Sequence, residues 1–287
     1  MAHRILDSIS SFEIEAPYGT TYHISTLDPV EHDRPLPVVL VLDADLYFGI
    51  AAQTYGYLQP FAEVRTALVV GIGYGTTVGE TIGLRTQDLT PPVSTGHPVT
   101  AQVAAYAGAG EADRFLDLLT GPVLDALAER YPTIDRDDVT LIGHSLGGLL
   151  VGHALLTRPG AFRGYCLLSP SVWWDDSALL SAVPASWDGV QPQVFVSVGG
   201  QEQDLPDEVP AGRPEMTLDQ VHQWISALRM VDGAADLVAR LRAAGLPVEH
   251  RVFDGESHSS VVPPAITRSL LTMLSPLSPL SPRSRPS

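Results

Sequence analysis

The chain has 287 residues, of which 45% are hydrophobic, a fraction large enough to build a sizeable core. The formal net charge is −16 and all 17 basic residues are arginine, a balance that disfavours binding to nucleic acid or to an anionic membrane surface. No stretch approaches the roughly 18 apolar residues that a membrane helix needs, and the N-terminus lacks the basic start and apolar run of a secretory signal.

The first half of the chain places apolar runs between polar or helical segments. Ser11–Ala16 and Thr20–Leu27 alternate polar and apolar residues around a Pro-Tyr-Gly turn, which predicts a β-hairpin. Two continuous apolar runs, Val38–Leu42 and Thr66–Gly73, are typical of strands covered on both faces. Between them, Ile50–Leu58 predicts a helix that packs on the sheet.

The stretch Tyr74–Gly110 interrupts this pattern because it is rich in Gly, Thr and Pro and has few periodic apolar positions. It predicts a long loop beyond the C-terminal end of a strand, where open α/β sheets bind ligands. Glu111–Tyr131 then returns to helical spacing, with a kink predicted at Gly121-Pro122.

The second half of the chain repeats the order strand, then helix. The predicted strands are Val139–Ile142, Phe162–Leu168, Val194–Val198 and Val248–Phe253, and the predicted helices are Thr217–Met230, Ala234–Ala244 and Ile266–Leu274. Two edge strands in the hairpin and six buried strands predict an α/β architecture: a mostly parallel central sheet of about eight strands with helices on both faces, the α/β-hydrolase fold. Residues 1–274 are predicted to form a single domain, followed by a disordered Ser/Pro-rich tail over residues 275–287.

A G-x-S-x-G motif spans Gly143–Gly147, directly after the strand Val139–Ile142 and before a helical pattern. In this setting the serine occupies a strained turn that lifts its hydroxyl off the sheet, and the N-terminus of the helix faces charge that develops during acyl transfer. Side chains at the two glycines are expected to collide with the neighbouring strand and helix. Ser145 is therefore predicted to be a nucleophile rather than part of a structural turn.

A serine nucleophile needs a general base, and the base needs an acid that orients it. His258 follows the last predicted strand, downstream of Ser145, which predicts it as the base. Glu202 and Asp204 both follow the strand Val194–Val198 and both qualify as the acid. Glu202 is preferred because it lies nearer the strand end, and Asp204 stays open as the alternative.

The remaining candidates lie beside these residues. An oxyanion hole needs two backbone donors, and the candidates are the N–H of Leu146 and that of Ala44 or Asp45, in the turn after Val38–Leu42. His144 can either pack beneath the turn or contact substrate. The sequence has no H-x-x-x-H spacing and no cysteine cluster, and its one cysteine is typical of a buried thiol, so no metal site and no cofactor are predicted and a cytoplasmic location is expected.

Several motifs together carry a family resemblance: GHSLGGLL around Ser145, SPSVWW at Ser169–Trp174, R-x-x-D-L-T-P at Arg85–Pro91, LDAD at Leu42–Asp45 and FDGESH at Phe253–His258. From roughly Phe12 to Leu274 the chain resembles the esterase D-like branch of the α/β-hydrolase superfamily. Within that branch it is most similar to the ferric-siderophore trilactone esterases, which act on enterobactin, salmochelin or bacillibactin. The resemblance implies a catalytic pair of Ser145 and His258, a third member that is poorly placed or missing, and a small-molecule ester or lactone as substrate.

The resemblance also implies positions near the substrate. Arg85 matches the arginine of the R-x-x-D-x-T-P motif, where its guanidinium can hold an anionic substrate; alternatively it pairs with Asp88 and anchors the long loop. Trp173 and Trp174 either line a pocket that accepts aromatic groups or pack in the core. The net charge of −16 disfavours a trianionic ferric catecholate, because the chain has few clustered arginines.

The sequence thus predicts a serine esterase that forms an acyl-enzyme on Ser145 and cleaves a siderophore-type lactone or a natural-product ester. A serine acyltransferase, a peptidase or thioesterase, and a non-catalytic binding protein on the same fold are the alternatives. Nucleic acid and membranes are not expected partners, and the oligomeric state is not predicted.

Overall fold

A computed structural model describes residues 8–29, 34–94, 98–211 and 214–276 of the chain. Its strands are β1 (Ile9–Glu15), β2 (Thr21–Leu27), β3 (Leu36–Leu42), β4 (Leu68–Gly73), β5 (Ile134–His144), β6 (Gly164–Leu168), β7 (Gln193–Gly199) and β8 (Val248–Phe253). They form one sheet in the order β1-β2-β4-β3-β5-β6-β7-β8. The pairs β1–β2 and β2–β4 are antiparallel, and the pairs from β4 to β8 are parallel.

The predicted α/β-hydrolase fold is confirmed, with one correction at the sheet edges. The hairpin of β1 and β2 is present as predicted, but β2 lies inside the sheet because it also pairs with β4. The second edge is β8, and several of its side chains face solvent, so it is not one of the fully buried strands.

Helices cover both faces of the sheet. They are α1 (Ala44–Leu58), α2 (Val78–Leu89), α3 (Pro98–Ala107), α4 (Ala112–Leu118), α5 (Leu124–Arg130), α6 (Leu146–Thr157), α7 (Trp174–Ser181), α8 (Leu218–Leu228), α9 (Met230–Ala243) and α10 (Val262–Met273). Alternate residues of β3 enter different cores: Leu40 belongs to the core that includes side chains of α4, α5, α6 and α9, whereas Val39 and Val41 belong to the core that includes side chains of α1 and α10. Because both faces of the parallel strands are covered, their sequences are continuously apolar.

Two helices replace the loop predicted over Tyr74–Gly110, so that prediction is wrong. Helix α2 begins with a capping box in which Thr77 Oγ1 accepts from the N–H of Glu80. Its buried side chains include the polar residues Thr86 and Asp88, so the helix lacks an apolar stripe. The kink predicted at Gly121-Pro122 is confirmed: a π-helical turn, Leu119–Val123, joins α4 to α5 there.

The α2–α3 segment is tied to the sheet by a buried carboxylate. Asp88 Oδ2 accepts hydrogen bonds from the Tyr22 hydroxyl at 2.6 Å and from the Tyr74 hydroxyl at 3.2 Å. The guanidinium of Arg114 lies 3.8 Å from Asp88 Oδ1, a longer ion-pair distance. Burial raises the pKa of Asp88 to about 6, because these partners only partly compensate the lost hydration.

We expect Asp88→Asn to remove part of the pH dependence of stability. The native pKa of Asp88 lies above the usual 3.8, so the native state holds this proton longer than the unfolded chain. The Asp88 contribution therefore favours folding at low pH and declines between about pH 4 and 6. The free energy of unfolding of Asp88→Asn relative to wild type should rise by about 2 kcal/mol from pH 4 to pH 7, measured by urea unfolding.

A matched control is the exposed residue Glu13, changed to Gln. The difference in the free energy of unfolding between Glu13→Gln and wild type should be the same at pH 4 and at pH 7. A pH-independent difference for Asp88→Asn as well would contradict the assignment.

Two further observations concern the ends of the chain and membranes. The predicted tail lies outside the described residues from residue 277 onward. Within the four described ranges, no helix is both long enough and apolar enough to cross a membrane.

Candidate active site

Ser145 occupies a sharp turn between β5 and α6. Its backbone angles, φ 61° and ψ −117°, lie in a region that residues other than glycine rarely adopt. A Cβ on Gly143 would lie 2.3 Å from the carbonyl oxygen of Gly147, so only glycine fits there. A Cβ on Gly147 would have no neighbour closer than 3.4 Å, so the expected collision is confirmed at Gly143 and is wrong at Gly147.

Three side chains form a continuous hydrogen-bonded chain at the carboxyl edge of the sheet. His258 Nε2 lies 3.1 Å from Ser145 Oγ, and His258 Nδ1 lies 2.6 Å from Glu202 Oε2. A carboxylate can only accept, so Nδ1 carries the proton and Nε2 is left to accept from the serine hydroxyl. The histidine side chain is 42% exposed and the glutamate side chain is 0% exposed, so a partly exposed imidazole is bonded to a fully buried carboxylate.

The buried acid is oriented by two further donors. Glu202 Oε1 accepts from Ser169 Oγ at 2.5 Å and from the N–H of Gly199 at 2.6 Å. Gly199 must be glycine, because a Cβ there would lie 2.4 Å from the carbonyl oxygen of Glu256. Asp204 is exposed to solvent, whereas the Glu202 carboxylate points at the histidine. The structure thus places Glu202, not Asp204, beside His258, and this carboxylate lies within hydrogen-bond distance of the ring, unlike the poorly placed third member that the resemblance implied.

The candidate oxyanion donors lie in the first turns of two helices. Leu146 begins α6 and Ala44 begins α1, so the N–H groups of these turns have no acceptor within their own helix. The side chain of Asp45 accepts from the N–H of Tyr74 at 2.8 Å and from that of Gly75 at 3.3 Å. These two bonds tie the turn after β3 to the end of β4 and fix the position of that turn at the edge of the sheet.

His144 lies behind His258 and is bonded at both ring nitrogens. Its Nε2 is 2.9 Å from the carbonyl oxygen of His258 and its Nδ1 is 3.0 Å from the Tyr47 hydroxyl. The carbonyl accepts, so Nε2 carries the proton and Nδ1 accepts from the hydroxyl. Burial lowers the pKa of His144 well below its usual value, and the neighbouring His258 lowers it further, so the ring stays neutral. Its geometry fits the packing role, not the alternative of substrate contact.

Arg85 is paired with a residue that neither sequence interpretation named. Its Nε donates to Asp43 Oδ1 at 2.8 Å and its Nη2 donates to Asp43 Oδ2 at 2.9 Å. The predicted pair with Asp88 is wrong, because that carboxylate is bound by tyrosines. The pair uses the Nε–Nη2 edge of the guanidinium and both oxygens of Asp43, so the positive charge of Arg85 is already compensated by a buried carboxylate.

The two tryptophans have different environments. Trp174 is 1% exposed and its Nε1 donates to the carbonyl oxygen of Pro91 at 3.3 Å, so it packs in the core. It also borders a small pocket whose described lining does not include Ser145. Trp173 is partly exposed and follows Ser171, whose Oγ is 3.5 Å from Ser145 Oγ. Of the two tryptophans, Trp173 is the one with side-chain surface exposed to solvent.

The structure adds site residues that the sequence analysis missed, namely Asp43, Tyr47, Ser169 and Ser171. The motifs LDAD and SPSVWW contain three of them and were the available signal. Among the described residues, no group of three or more His, Cys, Asp or Glu side chains could hold a metal ion.

Comparison with known proteins shows the family of this chain. A family model described as "Putative esterase" matches residues 17–261, which is most of the chain. The chain belongs to this esterase family. The siderophore triacetylfusarinine C esterase of Aspergillus fumigatus is 31% identical to it, with 92% of each chain covered. The ferri-bacillibactin esterase of Bacillus subtilis is 32% identical, over 87% of this chain and 83% of that protein.

Solved structures agree with the same fold. The siderophore hydrolase EstB from Aspergillus nidulans superimposes on this esterase with a TM-score of 0.80 and 25% identity, covering 97% of this chain and 98% of that one. The predicted resemblance to siderophore esterases is therefore confirmed, and the protein is an esterase.

Proposed function

We propose that this esterase hydrolyses the ester bonds of siderophore-type lactones or related small-molecule esters through an acyl-enzyme on Ser145. The observation that carries the proposal is the unbroken chain from Ser145 Oγ through the two nitrogens of His258 to Glu202, with distances of 3.1 and 2.6 Å. That geometry suits proton transfer from the serine to the histidine.

The first step is acylation. His258 Nε2 takes the proton of the Ser145 hydroxyl while the oxygen attacks the ester carbonyl carbon, and the carbonyl oxygen becomes an oxyanion. The N–H of Leu146 and an N–H from the Ala44–Asp45 turn stabilise that charge. As the tetrahedral intermediate collapses, the protonated histidine donates its proton to the leaving alcohol, and the acyl group stays on the serine.

The second step is hydrolysis of the acyl-enzyme. His258 takes a proton from water, the resulting hydroxide attacks the acyl carbonyl, and the same donors hold the second oxyanion. Collapse releases the carboxylic acid and returns the proton to Ser145. The buried Glu202 carboxylate stabilises the imidazolium that forms in both steps and keeps the ring in the required tautomer.

The relatives and the site support the proposed substrate class. The named relatives are esterases of triacetylfusarinine C and of ferri-bacillibactin, so a siderophore ester is the proposed class for this chain. At the turn after β3 the charge of the Arg85 guanidinium is compensated by Asp43, which weakens its attraction for a substrate anion. We therefore expect a neutral lactone to be cleaved faster than a trianionic ferric catecholate.

A substrate panel tests this proposal on the full chain. We expect cleavage of p-nitrophenyl butyrate and of a neutral trilactone, with each opened bond adding the mass of one water, and faster turnover of the neutral lactone than of a ferric triscatecholate trilactone. A fluorophosphonate probe should label Ser145, which peptide mass spectrometry locates. Absence of both ester cleavage and labelling would favour a binding protein, and transfer of the acyl group to an added alcohol in place of water would favour an acyltransferase.

A further inference from the structure

We propose that Arg85 is a positioning residue that acts through Asp43: it holds the turn that carries the second oxyanion donor and neutralises the carboxylate beside it. This inference rests on the proposed Ser145 mechanism. It assigns to Arg85 a role other than binding the substrate.

The first observation is the geometry of the pair. Nε and Nη2 of Arg85 contact the two carboxylate oxygens of Asp43 at 2.8 and 2.9 Å, a two-bond contact that fixes both distance and angle. The side chains are 16% and 1% exposed, so water competes little for either group. Arg85 belongs to α2 and Asp43 follows β3, so the pair fixes the α2–α3 segment against the sheet.

The second observation is the backbone at Asp43. Its angles, φ 53° and ψ 50°, are left-handed, a conformation that few residues other than glycine, asparagine and aspartate adopt. Asp43 is the residue directly before Ala44, and its carbonyl oxygen accepts from the N–H of Leu46 at 2.9 Å and of Tyr47 at 3.1 Å. Those two N–H groups are thereby occupied, and the N–H groups of Ala44 and Asp45 remain available for an oxyanion.

The third observation links this turn to the nucleophile. A Cβ on Gly147 would lie 3.4 Å from Asp43 Oδ2, so the carboxylate sits against the start of α6, two residues after Ser145. It therefore lies close to both halves of the oxyanion hole. An unpaired Asp43 carboxylate at this position would repel the negative charge that develops on the oxyanion. Arg85 compensates the charge of Asp43 and so weakens this repulsion.

The test compares Arg85→Met, Asp43→Asn and the double variant with p-nitrophenyl acetate, a neutral ester. We expect Arg85→Met to lower kcat roughly 10²-fold with KM changed less than about threefold, similar to the loss of one oxyanion donor. In the double variant Asp43→Asn should restore about tenfold of that loss, because the unpaired charge is gone. Arg85→Lys, which keeps the charge but not the fork, should fall between wild type and Arg85→Met.

Controls separate positioning from folding. Arg136→Met breaks a surface pair with Asp125, whose atoms are 2.7 Å apart, and should leave kcat unchanged. All kcat values are referred to the folded fraction measured by circular dichroism, and Arg85→Lys supplies the test if Arg85→Met does not fold.

Two results would overturn the inference. One is an increase of KM confined to an anionic ester, such as the p-nitrophenyl monoester of succinic acid, without rescue by Asp43→Asn, since that is the behaviour of a substrate anchor. The other is wild-type kcat in Arg85→Met while Ser145→Ala is inactive. If Ser145→Ala is active too, the failure belongs to the proposed mechanism.

Discussion

Replacing Ser145 with alanine should lower kcat for p-nitrophenyl acetate by about 10⁵-fold or more, because the acyl-enzyme can no longer form. The substitution removes one hydroxyl and its 3.1 Å contact with His258 Nε2. Alanine meets the same backbone strain as serine at φ 61°, so the melting temperature should change by only a few degrees. Initial rates on freshly purified protein, together with a thermal melt, measure both quantities.

A neighbouring serine provides a matched control. Ser171 Oγ lies 3.5 Å from Ser145 Oγ, but His258 Nε2 contacts only Ser145 of the two. Ser171→Ala should therefore keep kcat within about tenfold and should still be labelled by a fluorophosphonate. Loss of labelling in Ser171→Ala with retained activity in Ser145→Ala would mean that the nucleophile has been assigned to the wrong hydroxyl.

Glu202→Gln should lower kcat by about 10⁴-fold with little change in KM, because it changes which ring nitrogen of His258 carries the proton. The N–H of Gly199 needs an acceptor, so the amide oxygen of the glutamine is held at the position of Oε1. The NH₂ group then faces His258 Nδ1 and can only donate to it. The proton of the imidazole moves to Nε2, which can no longer accept from Ser145.

Asp204→Asn is the control for this prediction, because Asp204 was the competing acid candidate. It is exposed and lies two residues from Glu202, so its variant should keep kcat within about twofold. Steady-state kinetics of both variants at the same pH decide whether Glu202 or Asp204 orients His258. A large loss in Asp204→Asn with near-normal turnover in Glu202→Gln would transfer the role to Asp204.

Much of this architecture could be predicted because its signals are local. Strands β3 and β4 are continuous apolar runs, a pattern that only a strand buried on both faces needs. The nucleophile turn carries two glycines within five residues, and Gly143 is required by a backbone contact inside that same stretch. His258 follows a strand end whose place in chain order the fold prescribes.

Helices α2 and α3 were missed for a physical reason. The side chains that α2 buries include Thr86 and Asp88, which bond to the backbone of the helix and to tyrosines of the sheet, so apolar periodicity is absent. The capping box of Thr77 and Glu80 was the one local sign of a helix start.

Pairings between distant residues could not be predicted from spacing. Arg85 finds Asp43, 42 positions away, rather than Asp88 on its own helix, because the fold brings α2 beside the turn after β3. The choice of Glu202 over Asp204 depends on Ser169 and on the N–H of Gly199, which come from different strand ends. Trp173 and Trp174 are adjacent in sequence, and only the start of α7 decides which of them is buried.

The two backbone contacts at Gly143 and Gly199 indicate that different parts of the molecule tolerate amino-acid substitution to different degrees. Both glycines press against main-chain carbonyl oxygens, at 2.3 and 2.4 Å from an added Cβ, so the turn at Ser145 and the turn before Glu202 admit no side chain there. The α2–α3 segment, by contrast, is attached through side chains: apolar ones such as Leu84 and Leu89, and polar ones such as Asp88 and Arg85. Selection for a new ester substrate can therefore replace surface residues of the α2–α3 segment while Ser145, Glu202 and His258 keep their arrangement.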